Sequence, residues 1–207
     1  AVQGKTFQLA IDAELQKTMY DELKADASSV SAIDPKSGDI LALISTPSYD
    51  PNAFVRGISK TQYDAWNDDP RHPFLNRFSK AFVPGSTFKL VTAAIGLDTN
   101  ALDPDEEKKI TGMKWAKDKS WGNYYVTRVH EASPVNLSKA LLYSDNIYFA
   151  QTALQIGKSK LAEGAAKFGI GEKLPIEYPF SASQLANGAI KNEIQLADSG
   201  YWQGQVT

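Results

Sequence analysis

The hydrophobic pattern changes period twice in the first fifty residues. Phe7, Leu9 and Ile11 alternate with polar neighbours, which predicts a short strand over residues 6–11. Asp12 is a good N-cap for a helix starting at residue 13. Leu15, Met19 and Leu23 then fall at i, i+4 and i+8, so residues 13–24 should form an amphipathic helix. After that the period returns to two. Segments 29–33 and 39–45 flank Asp34-Pro35-Lys36-Ser37-Gly38, a strong turn sequence, and together predict a β-hairpin. The run Ile40-Leu41-Ala42-Leu43-Ile44 has no polar member, so the second strand should be buried on both faces. Without a partner segment its apolar edge should stand exposed, an aggregation liability.

Beyond Ser45 the helical period takes over. Residues 46–52 carry two prolines and read as loop. Ser59-Lys60-Thr61-Gln62 is a capping box that opens a short helix through Trp66, and residues 68–73 break it. From Ser86 to about Asp98 the chain is apolar almost all round, which predicts a buried helix after the Pro84-Gly85 turn. Residues 103–130 are mixed and rich in Trp, Tyr and Lys, with a turn at 121–124. Asn136 caps a helix over 137–142, a second apolar helix runs over 147–156, and a third spans 158–168, closed by Gly169. Residues 172–207 read as loop with one amphipathic piece around 190–196. Strands are few and early and helices fill the middle, an α+β pattern.

Lys89 is the residue this pattern does not explain. It lies three positions after Ser86, one turn along the same helix face. Burying an ammonium is unfavourable unless it has partners or loses its proton. A desolvated lysine beside a serine hydroxyl at a helix N-terminus is a base and a nucleophile in one turn. The helix dipole there favours negative charge developing on Ser86. Ser86 is the one serine followed by lysine at that spacing. A second polar element, Ser144-Asp145-Asn146, is wedged between two apolar helices. It reads either as a capped helix junction or as a second wall of the same site. In the latter, a hydroxyl relays a proton, an amide holds a carbonyl, and Asp145 fixes the turn.

Composition narrows the field. The formal net charge is -2, with no strong run of either sign, so nothing points to nucleic acid. The chain has no cysteine, which excludes disulfides, thiolate catalysis and cysteine-ligated metal. His72 and His130 have no ligand spacing around them, and neither a metal nor a cofactor is expected. A Ser-His-Asp triad stays open, although no Gly-x-Ser-x-Gly elbow is present. Gly157-Lys158-Ser159 lacks the leading glycine of a phosphate loop, and Gly169-Ile170-Gly171 lacks the third glycine of a dinucleotide fingerprint. Lys36-Ser37-Gly38 reads as turn chemistry. No apolar run reaches the length of a membrane span.

Pro84-Gly85-Ser86-Thr87-Phe88-Lys89 followed by Ser144-Asp145-Asn146 resembles the first two signature motifs of penicillin-binding proteins and serine β-lactamases. Residues 34–42 are similar to the opening hairpin of a transpeptidase domain, and the likeness covers nearly the whole chain. Lys114 to Gly122, then Val126-Thr127-Arg128, resembles class B penicillin-binding proteins of the low-affinity, resistance-associated type of Gram-positive bacteria. Residues 197–201 with Gln203-Gly204 match that group too, while Trp202 stands where it usually has a small residue.

The resemblance implies a layered αβα transpeptidase fold, with residues 1–207 as its partial domain. It implies Ser86 as the acylated nucleophile, Lys89 as its base and Ser144 as the proton relay to the leaving amine. Asn146 and Asp145 form the substrate-binding set, Asn146 on the peptide group and Asp145 in support. The Ser86 N–H would give half of an oxyanion hole. The implied substrates are D-Ala-D-Ala stem peptides of peptidoglycan, with β-lactams as mimics. The implied partners are a membrane anchor outside this chain and the C-terminal remainder of the domain, at the extracytoplasmic face of a bacterial membrane. The third family motif, Lys-Ser/Thr-Gly after the Ser-Asp-Asn element, is not reached by Thr207. A serine β-lactamase and a non-turnover β-lactam or muropeptide sensor are the alternatives.

Overall fold

The computed structural model describes residues 3–176 and 178–201. The readings made for Trp202, Gln203 and Gly204 therefore lie outside the described residues. The chain divides into two compact units, with the boundary between Lys80 and Ala81.

The first unit opens on helix α1, Ala13–Leu23. Asp12 caps it, its Oδ1 accepting from Glu14 N at 2.9 Å and Leu15 N at 3.0 Å. Strands β1 (Ser29–Ile33) and β2 (Ile40–Ser45) form the expected antiparallel hairpin. Asp34 Oδ1 ties the turn by accepting from Lys36 N and Ser37 N. Lys36-Ser37-Gly38 is thus turn chemistry. β2 is not buried on both faces. Ala42 and Ile44 are buried, while Ile40, Leu41 and Leu43 are half-buried. Its backbone edge is covered by α1: Asp12 N donates to Leu41 O at 2.9 Å. The Gln16 amide donates to Leu43 O at 2.7 Å and accepts from Leu43 N at 2.9 Å. A side-chain amide here does the pairing of a neighbouring strand.

That arrangement also corrects the strand expected over 6–11. No strand forms there, and Phe7 and Leu9 stand 71% and 74% exposed. Alternation makes a strand only where a sheet edge accepts its backbone. Residues 46–51 are loop, as the prolines suggest, and a short helix α2 (Asn52–Arg56) follows them; α3 (Lys60–Asn67) starts as the capping box requires, Ser59 Oγ accepting from Gln62 N at 3.1 Å. Phe54 of α2 and Tyr63 and Trp66 of α3 share an aromatic cluster with Tyr49 and Phe74. That cluster holds the short helix, whose own length could not.

The second unit holds α4 (Phe88–Asp98), β3 (Lys114–Trp115), β4 (Val126–Thr127), α5 (Leu137–Leu142), α6 (Asn146–Ile156), α7 (Lys158–Ala166) and α8 (Glu193–Tyr201). α6 is its centre. Ile147, Tyr148, Phe149, Ala150 and Ala153 are fully buried, and α4, α5, α7, α8 and β4 pack around them. α4 is less buried than its sequence implies. Leu90 and Leu97 are exposed, and the inward face carries Phe88, Lys89, Thr92, Ala93 and Ile95. The sequence predicts a short piece ending near 196, but α8 runs on to Tyr201. Its inner residues Ala197, Ser199 and Gly200 are small, so the apolar period fades where the helices come closest. A Cβ on Gly200 would lie 2.4 Å from Phe149 O, and Thr92 Oγ1 donates to Gly200 O at 2.8 Å. Tyr124 and Tyr201 both donate to Asp198 Oδ1, at 2.5 and 2.7 Å, fastening the 121–124 turn to α8. No helix among the described residues is long and apolar enough to cross a membrane.

Candidate active site

Ser86 lies in a 3-10 turn, Gly85–Thr87, that leads directly into α4. The α-helix begins two residues later than the sequence predicts. Ser86 is exposed, whereas Lys89 beneath it is 1% exposed. The helical spacing brings Lys89 Nζ to 2.9 Å from Ser86 Oγ.

The opposite wall comes from the junction of α5 and α6. α5 ends with Ser144 in the left-handed region, φ 51°. Asp145 N donates back to Ala140 O at 2.8 Å. This is the position where helices commonly carry glycine. A serine held there costs on the order of 1 kcal/mol. Asp145 at once caps α6, its Oδ1 accepting from Ile147 N at 2.9 Å and Tyr148 N at 3.1 Å. The chain reverses within three residues, and the side chains of Ser144 and Asn146 both reach Lys89.

Lys89 Nζ has four oxygens around it. Ser86 Oγ and the Ser144 carbonyl are each at 2.9 Å, Ser144 Oγ at 2.8 Å and Asn146 Oδ1 at 2.6 Å. Ser144 Oγ is also 2.9 Å from Ser86 Oγ, closing a triangle of two hydroxyls and one amine. Asn146 Nδ2 donates to Thr127 O at 2.9 Å, which turns the amide oxygen toward the lysine. An ammonium has three protons for these four acceptors. A neutral amine has two protons and a lone pair, and the lone pair can take the Ser86 proton. Burial pulls Lys89 down to about 8 from its ordinary value of 10.5, with the Asp145 charge opposing the shift.

Asp145, counted with Asn146 in the substrate-binding set, is turned inward and cannot touch a substrate. It is 1% exposed, with one oxygen on the α6 N-terminus and the other 2.5 Å from Arg128 Nη1. Its place is support. Arg128 is a residue to which the sequence assigns no role of its own. Its Nε donates to Gly112 O at 2.9 Å, Nη2 to Ile110 O at 2.9 Å, and Nη1 also to Ala132 O at 3.2 Å. Its side chain is fully buried. A buried arginine signals itself in sequence only through burial, and the 103–130 stretch has no period from which burial can be read.

The penicillin-binding protein transpeptidase domain family matches residues 28–207. The chain belongs to that family. Its relatives are of the class B penicillin-binding protein kind. Penicillin-binding protein 3 of Bacillus subtilis is 46% identical over 207 residues, all of this chain and 31% of that protein. The peptidoglycan D,D-transpeptidase MrdA of Escherichia coli is 33% identical over 183 residues, 84% of this chain and 28% of that protein. The chain thus spans under a third of the length of these curated relatives. Among solved structures, Pseudomonas aeruginosa PBP2 in complex with WCK 5153 superposes with a TM-score of 0.85 at 27% identity. That match covers 96% of this chain and 47% of the other. The ceftriaxone acyl-enzyme complex of penicillin-binding protein A from Mycobacterium tuberculosis gives 0.83 at 25% identity, covering 95% and 47%. The α+β architecture is therefore that of a penicillin-binding protein transpeptidase domain, in part.

Proposed function

We propose that this chain carries the nucleophile half of a peptidoglycan D,D-transpeptidase. The observation that carries the reading is the convergence of Ser86, Ser144 and Asn146 on one buried lysine amine, each within 2.9 Å of it. Lys89 in its neutral form takes the Ser86 proton as Oγ attacks the penultimate D-Ala carbonyl of a stem peptide. The carbonyl-nitrogen bond breaks, and Ser144 passes the proton to the departing D-Ala amine. A second peptide's amine then attacks the ester, gives up a proton, and restores the Ser86 hydroxyl. Asn146 holds the peptide group of the substrate. A β-lactam enters the same path, its ring amide opening onto Ser86.

The family match runs across both compact units, which supports reading them as parts of one transpeptidase domain. The rest of the protein would supply the Lys-Ser/Thr-Gly element, the second oxyanion donor and a membrane anchor, placing the site at the extracytoplasmic face. The likeness of residues 114–128 supports the narrower reading of a low-affinity, resistance-associated enzyme.

The test is intact mass of the full-length protein carrying this chain, after incubation with a β-lactam. A single adduct, located by digestion on the peptide that contains Ser86, is the expected result. No adduct at high drug concentration, or one on another residue, overturns the reading. Sustained hydrolytic turnover of a chromogenic β-lactam would favour the β-lactamase instead.

A further inference from the structure

We infer that Arg128 is a positioning residue that locks the Ser144-Asp145-Asn146 turn against Lys89 from behind. The inference rests on the proposed catalytic roles of Ser86 and Lys89. Four N–H bonds of one guanidinium reach the carbonyls of Ile110, Gly112 and Ala132 and the carboxylate of Asp145. Asp145 is the residue between the two that touch Lys89. Its carboxylate is divided between Arg128 and the first N–H groups of α6, so neither end of the turn can rotate without breaking a buried, charge-assisted bond.

Arg128 acts on Asn146 by a second route. It directly follows Thr127, whose carbonyl receives the Asn146 amide and so aims its oxygen at the lysine. The Arg128 backbone N–H donates to Met113 O at 3.1 Å, which pins the end of that strand. The Arg128 side chain therefore holds the turn that carries Ser144, and its backbone closes the strand that orients Asn146. Its side chain touches none of the reacting groups. The planar fork matters as well as the charge, because an ammonium cannot serve a carboxylate and three carbonyls spread across different segments.

Two variants of the full-length protein test this. Arg128→Lys keeps the charge and loses the fork. The paired change Arg128→Gln with Asp145→Asn removes both charges, leaves no buried charge unpaired, and keeps hydrogen-bonding groups in place. Rapid-mixing kinetics with a β-lactam separate the limiting acylation rate from the dissociation constant of the first complex. In both variants the limiting rate should fall by roughly a hundredfold, the scale of a misplacement of about 1 Å. The dissociation constant should change far less. A folded variant of either kind with a wild-type limiting rate overturns the inference while the catalytic reading stands. Absence of any adduct on wild-type Ser86 overturns that reading, and this inference with it.

Discussion

The variant Lys89→Met should be acylated between about a hundredfold and ten-thousandfold more slowly than wild type, the range set by loss of a positioned general base. Ser86 would remain in place with its hydroxyl but with no amine at 2.9 Å to take its proton. Wild-type acylation should rise with pH through about 8, as Lys89 gives up its proton, and the variant should lack that limb. Stability supplies an independent readout. The folded value of Lys89 lies below its ordinary 10.5, so the unfolded chain holds the proton more tightly. The resulting penalty is full below about pH 8, shrinks as pH rises, and is gone above 10.5. It amounts to no more than about 3 kcal/mol. Wild type should therefore gain stability relative to Lys89→Met between pH 8 and 10.5. Chemical denaturation at several pH values checks this. A variant acylated at the wild-type rate would remove Lys89 from the mechanism.

Asp145→Ala should be the most damaging single change to the folded state. Removing one partner of a buried pair leaves the other charge uncompensated, and such changes cost about 3–5 kcal/mol. Here the stranded group is Arg128, whose side chain has no exposure. The same change removes the α6 cap, a further loss of about 1 kcal/mol. The exposed pair of Asp98 and Lys167 is the comparison, its two side chains 61% and 68% exposed. Water already screens that pair, so Asp98→Ala should leave the unfolding midpoint unchanged. The two variants unfolded side by side in urea make the test. A loss at position 145 no larger than at position 98 would show that the pair contributes nothing.

The candidate site is legible in sequence because its two halves are local. Ser86 and Lys89 are one helical turn apart, and an apolar helix leaves a lysine with few roles. Ser144 and Asn146 flank a capping aspartate between two apolar helices, so the junction shows as a polar gap. What lies behind that site is not legible. Arg128 comes from a stretch with two strands of two residues each, too short for any period, and its bonds gather segments distant in sequence. The differences in the fold have related causes. The alternation of 6–11 is real, but no strand forms there, and Asp12 and Gln16 occupy the β2 edge. α8 reads short in sequence because small residues that allow close approach carry little hydrophobic signal. α2 is held by aromatic partners on other elements, which local propensity does not report.

The left-handed backbone at Ser144 has a consequence for any breeding experiment on this protein. Glycine would relax the strain at φ 51° and delete the hydroxyl that sits 2.8 Å from Lys89 Nζ. Heat and chemistry thus pull position 144 in opposite directions. A library screened for survival at raised temperature alone should drift to glycine there, and a library selected for the proposed transpeptidase activity should purge it. The same codon would record which pressure a population had met.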